Sequence, residues 1–168
     1  MGFNNKWISW MNACLQSATI SILVNGSPTL EFSLEKGVRQ GDLLSPYLFL
    51  IATEGLNRLA KKASDVNLLK GIDVGTNRIK VSYLQYADDT LFLGEWSKKN
   101  ERNIMKLLMF FEKLSGLKVN FTKSSLFGVG VPNHRICEMT DSMGCDTGSF
   151  PFTYLGLPLG CNMNKVKD

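Results

Sequence analysis

The chain has 168 residues, a length typical of one domain with a substantial apolar core. Its composition is 44% hydrophobic and 20% charged, as in ordinary globular proteins, and its net charge of +4 is compatible with a phosphate-backbone partner without requiring one. No segment approaches the roughly 20 apolar residues of a membrane span, so no membrane partner is expected.

Apolar periodicity and turn residues predict an alternation of helices and strands. The predicted elements are, in chain order, a helix over 5–17, a hairpin over 18–34, a helix over 45–63, strands over 71–74 and 78–94, a helix from 97 to 116, a strand over 125–131, a helix over 133–143 and a strand over 152–159. Ser45 is expected as the N-cap of the second helix, with Pro46 at its first position. Ser97 and Gly116 are expected to cap the third helix. This order predicts an α+β domain in which helices cover one face of an antiparallel sheet.

The helices carry apolar faces that are expected to form the core. The inward residues are Leu48, Ala52, Gly55, Leu56 and Leu59 on the second helix, Ile104, Leu107, Leu108, Phe111 and Leu114 on the third, and Ile136, Met139 and Met143 on the fourth. The cysteines at positions 14, 137, 145 and 161 lack Cys-x-x-Cys spacing, so no zinc or redox site is expected. They favour an intracellular protein, with nucleus and cytoplasm both left open.

Two adjacent carboxylates, Asp88 and Asp89, follow Tyr86 and Ala87 between the β-prone runs 79–85 and 90–94. The pattern predicts a β-hairpin with both carboxylates at its turn. An Asp-Asp pair is often only a turn former, because Asp bonds nearby backbone groups. Carboxylates at an exposed strand end also suit Mg²⁺ bound together with substrate phosphates. On this stretch alone, a plain turn and a phosphoryl-transfer site are both open.

Three further segments accompany the acidic hairpin in a fixed order. They are 39–46 (RQGDLLSP), 116–124 (GLKVNFTKS) and 152–160 (FTYLGLPLG). With them, essentially the whole chain resembles the palm domain of reverse transcriptases, and more narrowly that of non-LTR (LINE-type) retrotransposons. The resemblance implies a polymerase palm fold and RNA-directed DNA polymerase activity, a nucleotidyl transfer by two-metal chemistry. It implies an RNA template, a DNA primer and deoxynucleoside triphosphates as partners, and Mg²⁺ or Mn²⁺ as cofactor.

The resemblance also assigns roles to the acidic stretch and to the loop before the second helix. Asp88 and Asp89 match the family's paired catalytic, metal-binding aspartates, and Tyr86 and Ala87 match positions near the primer end. A separate set matches the loop that contacts template and incoming nucleotide, namely Arg39, Gln40 and Gly41. Without a binding role, Gly41 would be an ordinary turn glycine and Arg39 a solvated loop residue, and these alternatives are left open.

Two later segments receive roles from the same resemblance. Lys123 matches a catalytic lysine that assists pyrophosphate departure, with a surface charge as its alternative. The Tyr154-Leu155-Gly156 segment matches the primer grip, with a core strand as an equal alternative for its first two residues. Leu43 stands where the family usually has proline.

The resemblance covers only part of a reverse transcriptase domain, over residues 1–168. The family's first catalytic Asp, on a strand upstream of this chain, is not in the sequence, nor are the fingers and thumb. The expectation is a transposable-element fragment that is inactive alone and binds metal only together with the upstream Asp. A non-catalytic nucleic-acid-binding or interaction remnant is the main alternative, although no aromatic–basic stripe is apparent, and a metal-dependent nuclease is a further one. The oligomeric state is left open.

Overall fold

The helices and strands form a mixed α+β fold, as the sequence predicts, in a computed structural model that describes residues 2–34 and 41–160. The helices are α1 (Asn5–Gln16), α2 (Ser45–Asp65), α3 (Lys98–Ser115) and α4 (Asn133–Met143). The strands are β1 (Thr19–Ile20), β2 (Leu23–Val24), β3 (Ser27–Pro28), β4 (Phe32–Ser33), β5 (Ile72–Val74), β6 (Ile79–Val81), β7 (Tyr83–Tyr86), β8 (Asp89–Phe92), β9 (Ser125–Leu126), β10 (Asp146–Thr147), β11 (Phe152–Tyr154) and β12 (Leu157–Leu159). Within these ranges, no helix combines the length and the hydropathy that a bilayer span requires.

The strands of the described residues pair two by two. Five ladders are antiparallel, β1–β4, β2–β3, β5–β6, β7–β8 and β11–β12, and β9–β10 is parallel. The single antiparallel sheet expected from the sequence is therefore not formed within the described residues. The predicted strand over 78–94 divides because its first part pairs back with β5, whereas its later parts pair with each other.

Two predicted strands near the end of the chain also differ. The strand expected over 125–131 is limited to β9, which pairs with β10 after α4. The strand expected over 152–159 is a hairpin, in which Leu155 and Gly156 connect β11 to β12 with φ of 51° and 80°. Two consecutive positive φ values give a two-residue turn whose twist matches that of the flanking strands.

Helix α2 begins differently from the prediction, because Leu44 and not Ser45 is its N-cap residue. The carboxylate of Asp42 accepts a hydrogen bond from the Leu44 N–H at 3.0 Å, and the Asp42 carbonyl accepts one from the Ser45 N–H. These bonds form a turn ahead of the helix and bring Ser45 into its first turn. The helix then continues to Asp65, two residues beyond the predicted end.

Helix α3 has the predicted caps. The Ser97 hydroxyl accepts a hydrogen bond from the Asn100 N–H at 3.1 Å, and Gly116 ends the helix with φ of 74°. Both caps satisfy backbone groups that have no partner inside a helix.

The main core lies where α2 and α3 pack on the β7–β8 hairpin. Its fully buried residues are Leu56 of α2 and Leu108 and Phe111 of α3. Partly buried apolar residues surround them, namely Leu59, Tyr83, Phe92, Ile104, Leu107, Leu117, Val119 and Phe121. Leu114, predicted to face inward, is 66% exposed. Ile136 and Met139 of α4 are buried as predicted, whereas α1 has no buried residue.

Asn100, in the first turn of α3, is a buried polar clamp with 4% exposure. Its side chain accepts a hydrogen bond from the Lys70 N–H at 3.0 Å and donates to the carbonyls of Lys70 and Glu95, each at 3.1 Å. It therefore ties the chain after α2 and the chain after β8 to the start of α3. Gly94 has no room for a side chain, because a Cβ there would lie 2.4 Å from the Asn100 amide nitrogen.

We predict that Asn100→Ala lowers the free energy of unfolding by about 2–4 kcal/mol, because it leaves buried backbone groups of two segments without partners. Urea denaturation followed by circular dichroism measures the change. The matched variant Asn57→Ala, at an exposed position of α2, is expected to change the free energy by less than about 0.5 kcal/mol. Equal effects of the two substitutions would contradict the clamp.

Candidate active site

The acidic stretch forms the turn of the β7–β8 hairpin, shifted by one residue from the prediction. Tyr86 pairs with Asp89, so the two connecting residues are Ala87 and Asp88. Asp88 therefore lies in the turn, whereas Asp89 is the first residue of β8. Both side chains are exposed. Within the described ranges, no hydrogen bond or ion pair engages either carboxylate, which leaves their oxygens accessible to a ligand.

The hairpin is anchored to the core on one of its two faces. Tyr83 pairs with Phe92 across the strands, their ring centroids are 5.2 Å apart, and both rings pack against the α2–α3 cluster. Side chains alternate along a strand, so Leu84 and Tyr86 belong to the opposite face. Both are exposed, Tyr86 at 65%. The core thus fixes the hairpin while the acidic end stays in contact with solvent.

Ala87 adopts an unusual backbone conformation, with φ of 49°. A residue with a Cβ at positive φ is strained, at a cost of about 1–3 kcal/mol, and such positions concentrate at functional sites. The strain sits directly before Asp88, so the direction of that carboxylate depends on what holds Ala87 in place.

Gln85 is the side chain that holds this turn. Its amide nitrogen donates a hydrogen bond to the Ala87 carbonyl at 3.1 Å, and its amide oxygen accepts one from the Tyr83 hydroxyl. The acidic turn is thereby connected to a tyrosine of the core. Sequence reasoning did not single out Gln85. The sequence feature that indicates its role is its position two residues after Tyr83, which puts a polar side chain on the strand face that the core covers.

The pKa of Tyr83 is raised to about 12, mainly because burial disfavours the phenolate. A hydrogen bond with Thr90 lowers it, and electrostatic interactions with Tyr154 and Glu54 raise it further.

The predicted template-contacting loop is described only in part, since Arg39 and Gln40 lie outside the described residues. Gly41 is exposed with φ of 82°, and no atom of the described residues lies within 4 Å of the position that a Cβ would take. This φ favours glycine, and it is compatible both with a plain turn and with contact to a ligand. Leu43, which follows in the same turn, is 89% exposed.

The residues expected in the two later segments differ in their exposure to solvent. Lys123 is exposed on a short 3₁₀ turn, Phe121–Lys123, whose first residue packs against the main core. Tyr154 is half-buried at the end of β11, whereas Leu155 is exposed in the turn and is therefore not a core-strand residue. In the described part of the chain, no hydrogen bond or ion pair joins Lys123 to the acidic turn.

The donor chemistry of the acidic turn fits Mg²⁺ in part. Two adjacent carboxylates with accessible oxygens are the hard ligands that this ion prefers. Among the described residues, however, no group of three or more His, Cys, Asp or Glu side chains is arranged to hold a metal. Asp88 and Asp89 by themselves therefore do not make up such a group.

The chain belongs to the reverse transcriptase (RNA-dependent DNA polymerase) family, which matches residues 1–161. It is 28% identical over 125 residues to the retrovirus-related Pol polyprotein from type-1 retrotransposable element R2 of Popillia japonica. That match covers 74% of this chain but 17% of the polyprotein, so the chain spans a small part of that relative. The prediction of a partial reverse transcriptase domain related to non-LTR elements is confirmed.

A second relative is an uncharacterised mitochondrial protein of Arabidopsis thaliana. The two chains are 43% identical over 108 residues, which covers 64% of this chain and 88% of that protein.

We predict that Gln85→Met, which keeps the length of the side chain but removes its polar amide, loosens the acidic turn. Loss of the bond to the Ala87 carbonyl is expected to speed hydrogen exchange of the Tyr86 and Asp89 amides, the pair that closes the turn, about 5- to 30-fold, equivalent to about 1–2 kcal/mol. The control Leu84→Met, on the opposite strand face, should leave these rates within about twofold. Unchanged rates in Gln85→Met would show that the amide does not hold the turn.

We predict a pH dependence of stability that comes from Tyr83. Its pKa is about 12 in the folded chain and near 10.0 when unburied, so the folded state keeps a proton that the unfolded state loses. Its contribution is fully present below pH 10 and falls as the pH rises toward 12. Urea unfolding across this window should therefore show a steeper loss for the wild type than for Tyr83→Phe. Parallel pH profiles would contradict the assignment.

Proposed function

We propose that this chain forms the catalytic-turn portion of an RNA-directed DNA polymerase, with Asp88 and Asp89 as its metal-binding carboxylates. The observation that carries the proposal is the exposed acidic turn, held by a core-anchored hairpin in a chain of the reverse transcriptase family. The substrates proposed for the longer polypeptide are an RNA template, a DNA primer and deoxynucleoside triphosphates.

The proposed chemistry is an in-line displacement by the primer 3′-hydroxyl on the incoming nucleotide. Bound Mg²⁺ or Mn²⁺ ions would activate the attacking oxygen and neutralise charge on the departing pyrophosphate. Asp88 and Asp89 hold their carboxylates toward that position from the turn and from the start of β8. The Gln85 amide keeps the turn aligned, and alignment matters because small displacements of reacting groups slow such reactions steeply.

The remaining expected residues receive supporting roles in this proposal. Tyr86 and Ala87 lie beside the primer end, and the Tyr154–Gly156 turn grips the primer. The open space at Gly41 admits a base or sugar to close contact, while Arg39 and Gln40 contact template and nucleotide. Lys123 assists departure of pyrophosphate. Support for this set comes from the family membership.

A third carboxylate completes the proposed site from outside the described residues. The β7–β8 ladder has unpaired outer edges in the described part of the chain, and an exposed edge can accept a further strand. We propose that a strand bearing an Asp pairs there, extending the hairpin into a palm sheet with α2 and α3 on one face. Without it, two like-charged carboxylates hold metal weakly, so this chain alone is inactive.

We predict that the carboxylates are required for primer extension. A suitable protein is a chimera in which this chain replaces the matching segment of the R2 Pol polyprotein. With an RNA template, DNA primer, Mg²⁺ and deoxynucleoside triphosphates, Asp88→Ala should reduce extension at least about 10³-fold, because charge neutralisation at the reacting phosphate is lost. Asp73→Ala, at an exposed aspartate of β5, should leave extension within about threefold.

Extension that survives Asp88→Ala would contradict the proposed role of that residue. If this chain outside the chimera extends a primer, and Asp88→Ala abolishes that extension, the catalytic role of Asp88 stands. The need for a third carboxylate would then be overturned. In the chimera, salt-sensitive binding of primer–template without synthesis, unchanged by Asp88→Ala, would favour a non-catalytic nucleic-acid-binding protein. Cleavage of nucleic acid in the absence of nucleotides would favour a nuclease.

A further inference from the structure

Helix α3 carries a row of basic residues at intervals of three, four and seven positions. They are Lys99, Arg102, Lys106 and Lys113, called the basic stripe below. At 3.6 residues per turn the row stays within an arc of about 60° and extends about 21 Å along the helix axis. All of its members are exposed. The spacing was available in the sequence, but it is hidden there because apolar residues separate the cations.

The basic stripe lies on the side of α3 that faces away from the core. Leu108 and Phe111 mark the buried side, and the rings of Tyr83 and Phe92 pack against that side. The stripe and the acidic hairpin are therefore on different sides of the helix. A ligand of the stripe does not compete with a ligand of Asp88 and Asp89.

No acidic partner neutralises the stripe within the described ranges, where the ion pairs are Arg58–Glu54 and Lys70–Glu95. The acidic residues of α3, Glu101 and Glu112, lie about 110° or more around the axis from the centre of the stripe. Like charges at helical spacing destabilise a helix, so folding alone does not favour this row. The arrangement is a row of positive charges on one helix in which, among the described residues, no member has an ion-pair partner.

A cleft at the first turn of α3 extends the stripe toward α4. Arg102 belongs to both the stripe and the cleft, which has a volume of about 220 Å³ and is also lined by Trp96, Lys98 and Arg135. Glu101 and Glu138 line it too, and the Glu101 carboxylate accepts a hydrogen bond from Ser142 across the cleft at 3.1 Å. An indole beside several cations is the combination that stacks a base next to its phosphates.

We propose that the basic stripe binds the phosphate backbone of a nucleic acid without sequence preference, at a surface separate from the acidic turn. Charge complementarity supports this occupant, because regularly spaced lysine and arginine side chains neutralise successive phosphates and release their counterions. The surface holds a nucleic-acid segment that lies away from the reacting end. The proposal goes beyond the polymerase function and is independent of metal binding at Asp88 and Asp89.

The test measures binding of a fluorescein-labelled single-stranded RNA and of a duplex DNA of equal length by anisotropy across a KCl series. The stripe variant changes Lys99, Arg102, Lys106 and Lys113 to Gln. Its affinity is expected to fall at least about tenfold. The slope of log affinity against log salt should fall by about 3 on single strands or about 4 on duplex. A larger loss on one of the two probes identifies which form the stripe binds.

A matched control variant changes Lys61, Lys62, Lys80 and Lys118 to Gln, which removes the same charge from exposed positions elsewhere. It should retain affinity within about threefold. All eight substituted positions are exposed, and Gln is a good helix former at the six that lie in helices, so both variants should keep the wild-type circular dichroism spectrum and melting temperature. Equal losses in the two variants would show that only net charge matters, and no loss in the stripe variant would also overturn the proposal.

Two further measurements separate this proposal from its alternatives. The loss of affinity in the stripe variant should be the same with and without a chelator of divalent cations, so the stripe is tested even if the polymerase proposal fails. Vesicles of phosphatidylserine and phosphatidylcholine serve as the other polyanionic probe. Stripe-dependent binding to vesicles without binding to either nucleic acid would assign the surface to a membrane and contradict the proposal.

Discussion

The rest of the structure depends on the packing of Tyr83 and Phe92 against the cluster of Leu56, Leu108 and Phe111. Each strand of the acidic hairpin contributes one ring, and α2 and α3 supply the cluster. A two-stranded ladder is marginal in water by itself, so this contact gives the hairpin a fixed position. Because strand side chains alternate, anchoring one face leaves the other face and the acidic end open.

Two hydrogen-bonded side chains add to that packing. The Gln85 amide group bonds both to the carbonyl of Ala87, whose backbone is strained, and to the hydroxyl of Tyr83, which is anchored in the core. The core therefore orients the turn through Gln85. Asn100 joins the segments after α2 and after β8 to the start of α3, which places that helix relative to both. One side of helix α3 is buried and supports the acidic hairpin, and the opposite side is exposed and carries the basic stripe. One rigid element can thus serve two separate surfaces.

Sequence reasoning predicts what local pattern determines and misses what pairing determines. Apolar periodicity predicts helices α3 and α4, and the capping residues of α3 predict its ends. Both signals come from interactions between residues a few positions apart. The acidic turn is displaced by one residue, because Asp-Asp looks like the polar break and only the Tyr86–Asp89 pairing fixes the register. Leu114 has the period of a core residue, but no element of residues 2–34 and 41–160 covers it at the end of α3. The Gln85 contact runs from a side chain to a carbonyl across the turn, and periodicity carries no information about it.

The central claim is that the core-anchored hairpin presents Asp88 and Asp89 together to a divalent cation. Paramagnetic broadening of backbone amide signals by Mn²⁺ tests it directly, because the effect is confined to the surroundings of the bound ion. The account predicts that substoichiometric Mn²⁺ broadens the amides of residues 86–90 first, and that Asp88→Asn with Asp89→Asn abolishes this broadening. Broadening that is uniform along the chain, centred elsewhere, or unchanged in the double variant would contradict the account.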